Sequence, residues 1–228
     1  MEYSAIILAG GAGTRMKQAS PKQFLLLAGK PMFMHTLERL EKISSIKEII
    51  LVSVPQYREL LAANIDAYML QKKYLIVDGG ESRQQSVLNG ILAASQDNVI
   101  IHEAARPFVT TDEFQALIDE PCEDAIYGAD IPFTVLLKKN GFISNILERS
   151  ELLNVQLPQK FGRQPILDVH QRAAAEGKRF TEDASMLYYY TGREIKILPG
   201  SHCNIKVTEP IDLILGEFIY KEYIIGRD

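Results

Sequence analysis

Apolar residues fall along the chain in two alternating patterns. Short continuous runs occur at residues 5–9, at 49–52 within a stretch spanning 46–54, and at 74–77 and 99–101, while residues 195–198, broken by Lys196, read as a further strand. A strand with one solvated face would alternate, so unbroken runs predict parallel strands covered on both sides. Between them the spacing turns helical: Met34, Leu37 and Leu40 form a stripe ending near Ile43, residues 57–70, 86–94 and 168–177 are helical in composition, and residues 212–223 form a closing amphipathic helix. Strand, helix and strand in this order predict an α/β, doubly wound and mostly parallel sheet, whose ligands bind beyond the carboxyl ends of its strands. The pattern changes after Ile131, where two β-prone stretches, 133–137 and 142–147, flank the turn Lys138-Lys139-Asn140-Gly141. That is a hairpin signal. A lone hairpin is marginal in water, so it should find a partner surface. The organisation expected is a single domain over 1–228, with 133–159 as a protruding β-arm.

Composition narrows the partners. With 228 residues, 46% hydrophobic and 24% charged, the chain can build one large core. Formal charge is −4 and the Lys and Arg residues are scattered, so there is no basic stripe for nucleic acid. Two cysteines and four histidines without ligand spacing suggest neither a disulfide framework nor a protein-held metal. No opening apolar signal segment and no apolar run of about 18 residues appears, so a cytoplasmic protein without membrane association is expected.

Candidate chemistry gathers at the ends of the runs. Residues 5–9 lead into Gly10, Gly11, Ala12, Gly13, Thr14 and Arg15, closed by Pro21-Lys22-Gln23. Three glycines in four positions let backbone N–H groups approach anionic oxygens, and Arg15 and Lys22 add charge, so the stretch reads as a phosphate cradle. It fits neither GxxxxGK[ST] nor GxGxxG. A second glycine turn, from Asp78 to Ser86, follows the 74–77 run directly and should meet the first across one crevice. His102-Glu103-Ala104-Ala105-Arg106-Pro107 ends the 99–101 run on the same rim.

Five ordered blocks carry a resemblance. LAGGAGTRM with PKQF resembles the nucleotidyltransferase signature of sugar-nucleotide pyrophosphorylases, while GGESRQQS, HEAARP, FTEDAS and NIKVTEPID resemble cytidylyltransferases of the methylerythritol phosphate and ribitol phosphate type. The resemblance implies a nucleotidyltransferase fold and transfer of CMP from CTP to a small polyol phosphate, with release of pyrophosphate. Mg²⁺ would be held mainly by the triphosphate. Arg15, Lys22 and Lys206 would be the catalytic cations; Ala9, Gly10, Gly11, Ala12, Gly13, Thr14, Gly80, Glu81, Ser86 and Ala104 would hold the nucleotide; and Glu103, Arg106, Arg149, Thr181 and Asp183 would serve the acceptor. The arm would embrace a second subunit and deliver Arg149 to its site, making a homodimer.

The sequence also departs from the family pattern. Glu103 and Glu182 replace aspartates, and Leu136 and Leu157 stand where threonines are expected. Two lost hydroxyls point to a ribitol-like or glycerol-like acceptor, as in cell-surface polymer precursors. The alternatives are a methylerythritol phosphate cytidylyltransferase of isoprenoid precursor synthesis, and an inactive nucleotide-binding regulator. A sugar 1-phosphate enzyme using UTP or TTP shares the opening signature but accounts for neither HEAARP nor NIKVT.

Overall fold

The computed structural model describes residues 1–11 and 21–226, with Lys22 described through its backbone alone. Ala12, Gly13, Thr14, Arg15 and the Lys22 side chain therefore lie outside the described residues. In chain order the elements are β1 (Tyr3–Leu8), β2 (Leu26–Leu27), β3 (Lys30–Pro31), α1 (Met32–Glu41), β4 (Ile46–Ser53), α2 (Arg58–Ala67), β5 (Lys73–Asp78), α3 (Arg83–Ala93), β6 (Asn98–Glu103), α4 (Thr111–Asp119), β7 (Ala125–Asp130), β8 (Leu136–Lys139), β9 (Phe142–Ile146), β10 (Leu153–Gly162), α5 (Arg163–Ala175), α6 (Asp183–Thr191), β11 (Lys196–Pro199) and α7 (Pro210–Ile219).

Among the described residues, seven strands form one sheet in the order β11-β7-β10-β6-β1-β4-β5. β1 pairs in parallel with both β4 and β6, and β4 with β5, whereas β10 runs antiparallel between β6 and β7. The chain steps outward from β1 to β4 and β5, then returns to place β6 on the other side of β1. Strand order thus reverses beside β1, which is where open α/β sheets bind ligands.

The continuous apolar runs have the expected cause. Ala5 and Ile7 of β1, Ile49 and Leu51 of β4, and Ile100 of β6 pack on one face with Phe33, Leu37, Leu61 and Phe114 from α1, α2 and α4. Ile6, Ile50, Val52, Val99 and Ile101 pack on the other face with Val87, Ile91, Ile166 and Leu187 from α3, α5 and α6. Each strand therefore alternates between two cores rather than between core and water. α3 lies so close to the sheet that a Cβ at Gly90 would sit 2.4 Å from Ile6 Cγ2. Glycine is what permits that approach.

Several boundaries differ from the periodicity. α3 and α5 begin at Arg83 and Arg163, earlier than their apolar stripes, because first-turn residues are polar; the Ser82 hydroxyl caps α3 by accepting from the Gln85 N–H. Lys138 and Lys139 belong to β8, so the hairpin turn narrows to Asn140 and Gly141, both at positive φ (52° and 86°). The arm is shorter than 133–159, since the stretch from Leu153 joins the main sheet as β10. What projects is the β8–β9 ribbon, with Phe142 and Ile146 more than three-quarters exposed. α4, β7 and α6 were not among the expected elements, although Phe114, Leu117 and Ile118 give α4 a helical apolar stripe.

The turn leaving β6 is fixed by a buried histidine. His102 Nε2–H donates to the Arg106 carbonyl at 3.0 Å, and the ring meets Phe114 edge-on with centroids 5.3 Å apart. Burial pushes its pKa from 6.5 down to about 3, so the ring stays neutral. As pH falls below about 6.5 the unfolded chain takes up a proton that the folded chain refuses, so this stability is complete above 6.5 and is lost toward pH 3. The loss is roughly 1.4 kcal/mol per pH unit. His35, also buried and lowered, shifts stability in the same direction. His102→Gln is therefore expected to lose about 2 kcal/mol less than the parent between pH 7.5 and 5, read from urea unfolding midpoints; equal losses would show that His102 does not titrate as described.

Candidate active site

The site is assembled where backbone pairing continues past the strand ends. Ala9 N–H donates to Val52 O at 2.8 Å, Ala104 N–H to Leu8 O at 3.0 Å, and Gly79 N–H to Ser53 O at 2.8 Å. These bonds hold the turns after β1, β5 and β6 side by side around a cleft of about 300 Å³. Ala9, Gly10 and Gly11 form one wall, Gly80, Glu81, Ser82 and Ser86 another, and Glu103, Ala104 and Ala105 the floor toward β6. The second glycine turn is tied to α3: Gly80 N–H donates to Ser86 Oγ at 3.1 Å, and that hydroxyl donates to Ser82 O at 2.9 Å. Ser86 therefore shapes the turn, whose backbone lines the cleft. A Cβ at Gly80 would come within 2.5 Å of Gln85 Cβ, so this turn admits only glycine.

A second compartment of about 160 Å³ adjoins the first, lined by Arg106, Gln156, Leu157, Gln159, Thr181 and Glu182. Arg106 is held by Nη1 donating to Asn204 O at 2.7 Å, and Asn204 Nδ2 donates in turn to Leu157 O at 2.7 Å. Arg83, Glu103 and Lys206 line both compartments and form the seam between them. Lys206 Nζ lies 2.5 Å from Glu103 Oε2, and Arg83 Nε lies 3.1 Å from Glu103 Oε1. Burial alone would raise the Glu103 pKa, but Lys206 and then Arg83 outweigh it and keep the carboxylate below its usual range. Lys206 is brought there because Val207 N–H donates to Ala105 O at 2.8 Å, pinning the 204–207 segment to the turn after β6.

Most of the expected residues meet here. Ala9, Gly10, Gly11, Gly80, Glu81, Ser86 and Ala104 line the first compartment, Arg106 and Thr181 the second, and Lys206 the seam. Two residues have surroundings that the sequence did not foretell. Asp183 does not face the second compartment: it is 1% exposed, with Oδ2 2.8 Å from Arg83 Nη2 and Oδ1 3.1 Å from His170 Nε2. Its position at the start of α6 turns it into the core, while Thr181 and Glu182 before it face outward. Glu103 reaches the seam but has both oxygens on cations, and the extra methylene relative to aspartate gives it the span to touch both.

Arg149 is exposed at the foot of the arm and lines neither compartment of its own chain. Arg83 was missed by sequence reasoning, although it sits inside GGESRQQS. So was Gln23, buried in the first compartment with its amide atoms unpartnered among the described residues. Its signal was the PKQF block.

Comparison with known proteins identifies the family. Residues 3–222 match the family model described as IspD: 2-C-methyl-D-erythritol 4-phosphate cytidylyltransferase. Relatives of that name include one from Clostridium botulinum (strain Loch Maree / Type A3), 40% identical over 227 residues covering 96% of this chain and 97% of the relative. Another, from Geobacillus kaustophilus, is 38% identical over 225 residues, covering 96% and 97%. The solved 4-diphosphocytidyl-2C-methyl-D-erythritol synthase from Anaerococcus prevotii superposes with a TM-score of 0.84 at 25% identity, covering 96% of each chain. The chain belongs to the 2-C-methyl-D-erythritol 4-phosphate cytidylyltransferase family, and it is a nucleotidyltransferase that moves CMP from CTP onto a polyol phosphate.

Proposed function

We propose that the acceptor is 2-C-methyl-D-erythritol 4-phosphate, which places the enzyme in isoprenoid precursor synthesis. The supporting observation is the junction of two unequal compartments at Lys206, with a polar acceptor side built from Arg106, Gln159 and Thr181. The expectation of a ribitol-like or glycerol-like acceptor rested on Leu136 and Leu157. Leu136 stands on the arm and lines neither compartment of its own chain, so its missing hydroxyl takes nothing from that chain's site. Leu157 does line the acceptor side, but it is buried in the core formed with Ile101, Phe161 and Ile166. The relatives at about 40% identity carry the name of the methylerythritol enzyme.

In this reading an acceptor phosphate oxygen attacks the α-phosphorus of CTP and pyrophosphate leaves. The task is to bring two polyanions together and neutralise the charge that shifts to the leaving group. Lys206 meets the reacting phosphates at the seam, Arg106 orients the acceptor phosphate, and Arg15 and Lys22 follow the triphosphate. Mg²⁺ supplies further neutralisation of the triphosphate. Glu103, the carboxylate at the seam, is already taken by two cations, so the ion fits as part of incoming Mg·CTP rather than as a resident. The apolar arm pairs with a second copy and brings Arg149 to the partner's acceptor side. Free Cys122 and Cys203 fit a reducing, cytoplasmic setting. Among the described residues no helix is long and apolar enough to cross a membrane.

Pyrophosphate release from CTP with methylerythritol, ribitol and glycerol phosphates tests the acceptor. The expected kcat/KM for methylerythritol phosphate exceeds the others by about two orders of magnitude, since shorter glycerol phosphate leaves polar partners of the site unpaired and longer ribitol phosphate brings a hydroxyl that must be accommodated without one. Equal or better use of ribitol phosphate would restore the earlier expectation, and silence with every acceptor would favour the regulator. A monomeric mass by light scattering would remove the shared site.

A further inference from the structure

Glu103 is gripped from two sides by cations of unequal freedom. Arg83 is rooted: its Nη2 lies 2.8 Å from Asp183 Oδ2, and Asp183 is itself held by fully buried His170, 3.1 Å from its other oxygen. These two carboxylates raise the Arg83 pKa further despite its burial, so its charge is permanent. Lys206 is the loose partner. It rises on a flexible stem from a segment outside any helix or strand, is 37% exposed, and borders both compartments. With the site empty, its ammonium rests on Glu103.

A carboxylate this deeply buried cannot stand uncompensated; stripping one partner from a buried pair tightens its hold on whatever cation remains. We propose that Arg83 is a positioning residue for CMP transfer: it keeps Glu103 compensated from the core side, so that Lys206 can leave Glu103 for the substrate phosphates at the seam. Glu103 is thus a resting place for Lys206, and Arg83 sets how readily Lys206 departs. The inference rests on the reading that Lys206 meets phosphate, and it adds a residue with a different duty.

The test is a paired substitution assayed by pyrophosphate release. Arg83→Gln leaves Lys206 as the one ion-pair partner of Glu103 among the described residues, so kcat is expected to fall about 10- to 100-fold while KM for CTP changes less than about threefold. Adding Glu103→Gln removes the carboxylate that traps Lys206, and kcat of the double variant is expected to recover at least about fivefold over Arg83→Gln. A purely structural Arg83 would make the double variant equal to or worse than the single one, and that result, or a change confined to KM, overturns the proposal. Should Arg83→Gln fail to fold, Arg83→Lys with and without Glu103→Gln makes the same comparison, because a lysine keeps the charge but cannot fork between two carboxylates. Turnover by the parent enzyme is measured alongside, so failure of the proposal is distinct from failure of the acceptor assignment.

Discussion

The carboxylate of Glu103, buried between Arg83 and Lys206, is the interaction on which the site depends. It draws together three parts of the chain that are distant in sequence: the start of α3, the end of β6 and the segment before α7. Breaking a buried pair from one side typically costs about 3–5 kcal/mol, whereas the intact pair contributes little net stability. Its value is therefore positional. It fixes where a cation stands when no substrate is present, and it draws the boundary between the two compartments.

The sheet makes that boundary possible. Because both faces are covered, β1, β4 and β6 have no solvated side to specify a ligand, and chemistry is confined to their carboxyl ends. The reversal of strand order beside β1 opens a gap there, and the bonds from Ala9 to Val52 and from Ala104 to Leu8 keep its rim in register. β10 adds an antiparallel strand beside β6, bringing Leu157 and Gln159 to the second compartment. Site and fold share residues: Leu157 is core on one side and pocket wall on the other.

Much of this was legible in the sequence because its signals are local. Unbroken apolar runs reported β1, β4, β5 and β6, and glycine-rich turns directly after them reported the rims. Asn140-Gly141 reported the hairpin. What was not legible depends on contacts between remote segments. FTEDAS cannot tell which acid points inward, and Asp183 turns to the core because α6 packs against α5, where His170 waits for it. Arg83 reads as one more polar residue of a helix start until β6 and α6 place carboxylates on either side. Leu136 and Leu157 looked equivalent as missing hydroxyls, yet one lies on a projecting ribbon and the other in the second core.

The central claim is that Lys206, released from Glu103, stands at the phosphates where the compartments meet. A crystal structure of the enzyme with its CDP-polyol product addresses it most directly. The account predicts the new pyrophosphate linkage across the seam, with Lys206 Nζ within about 3 Å of one of its oxygens and Arg83 still on Glu103. A linkage bound elsewhere, or Lys206 still paired with Glu103 and out of reach of the phosphates, would contradict it.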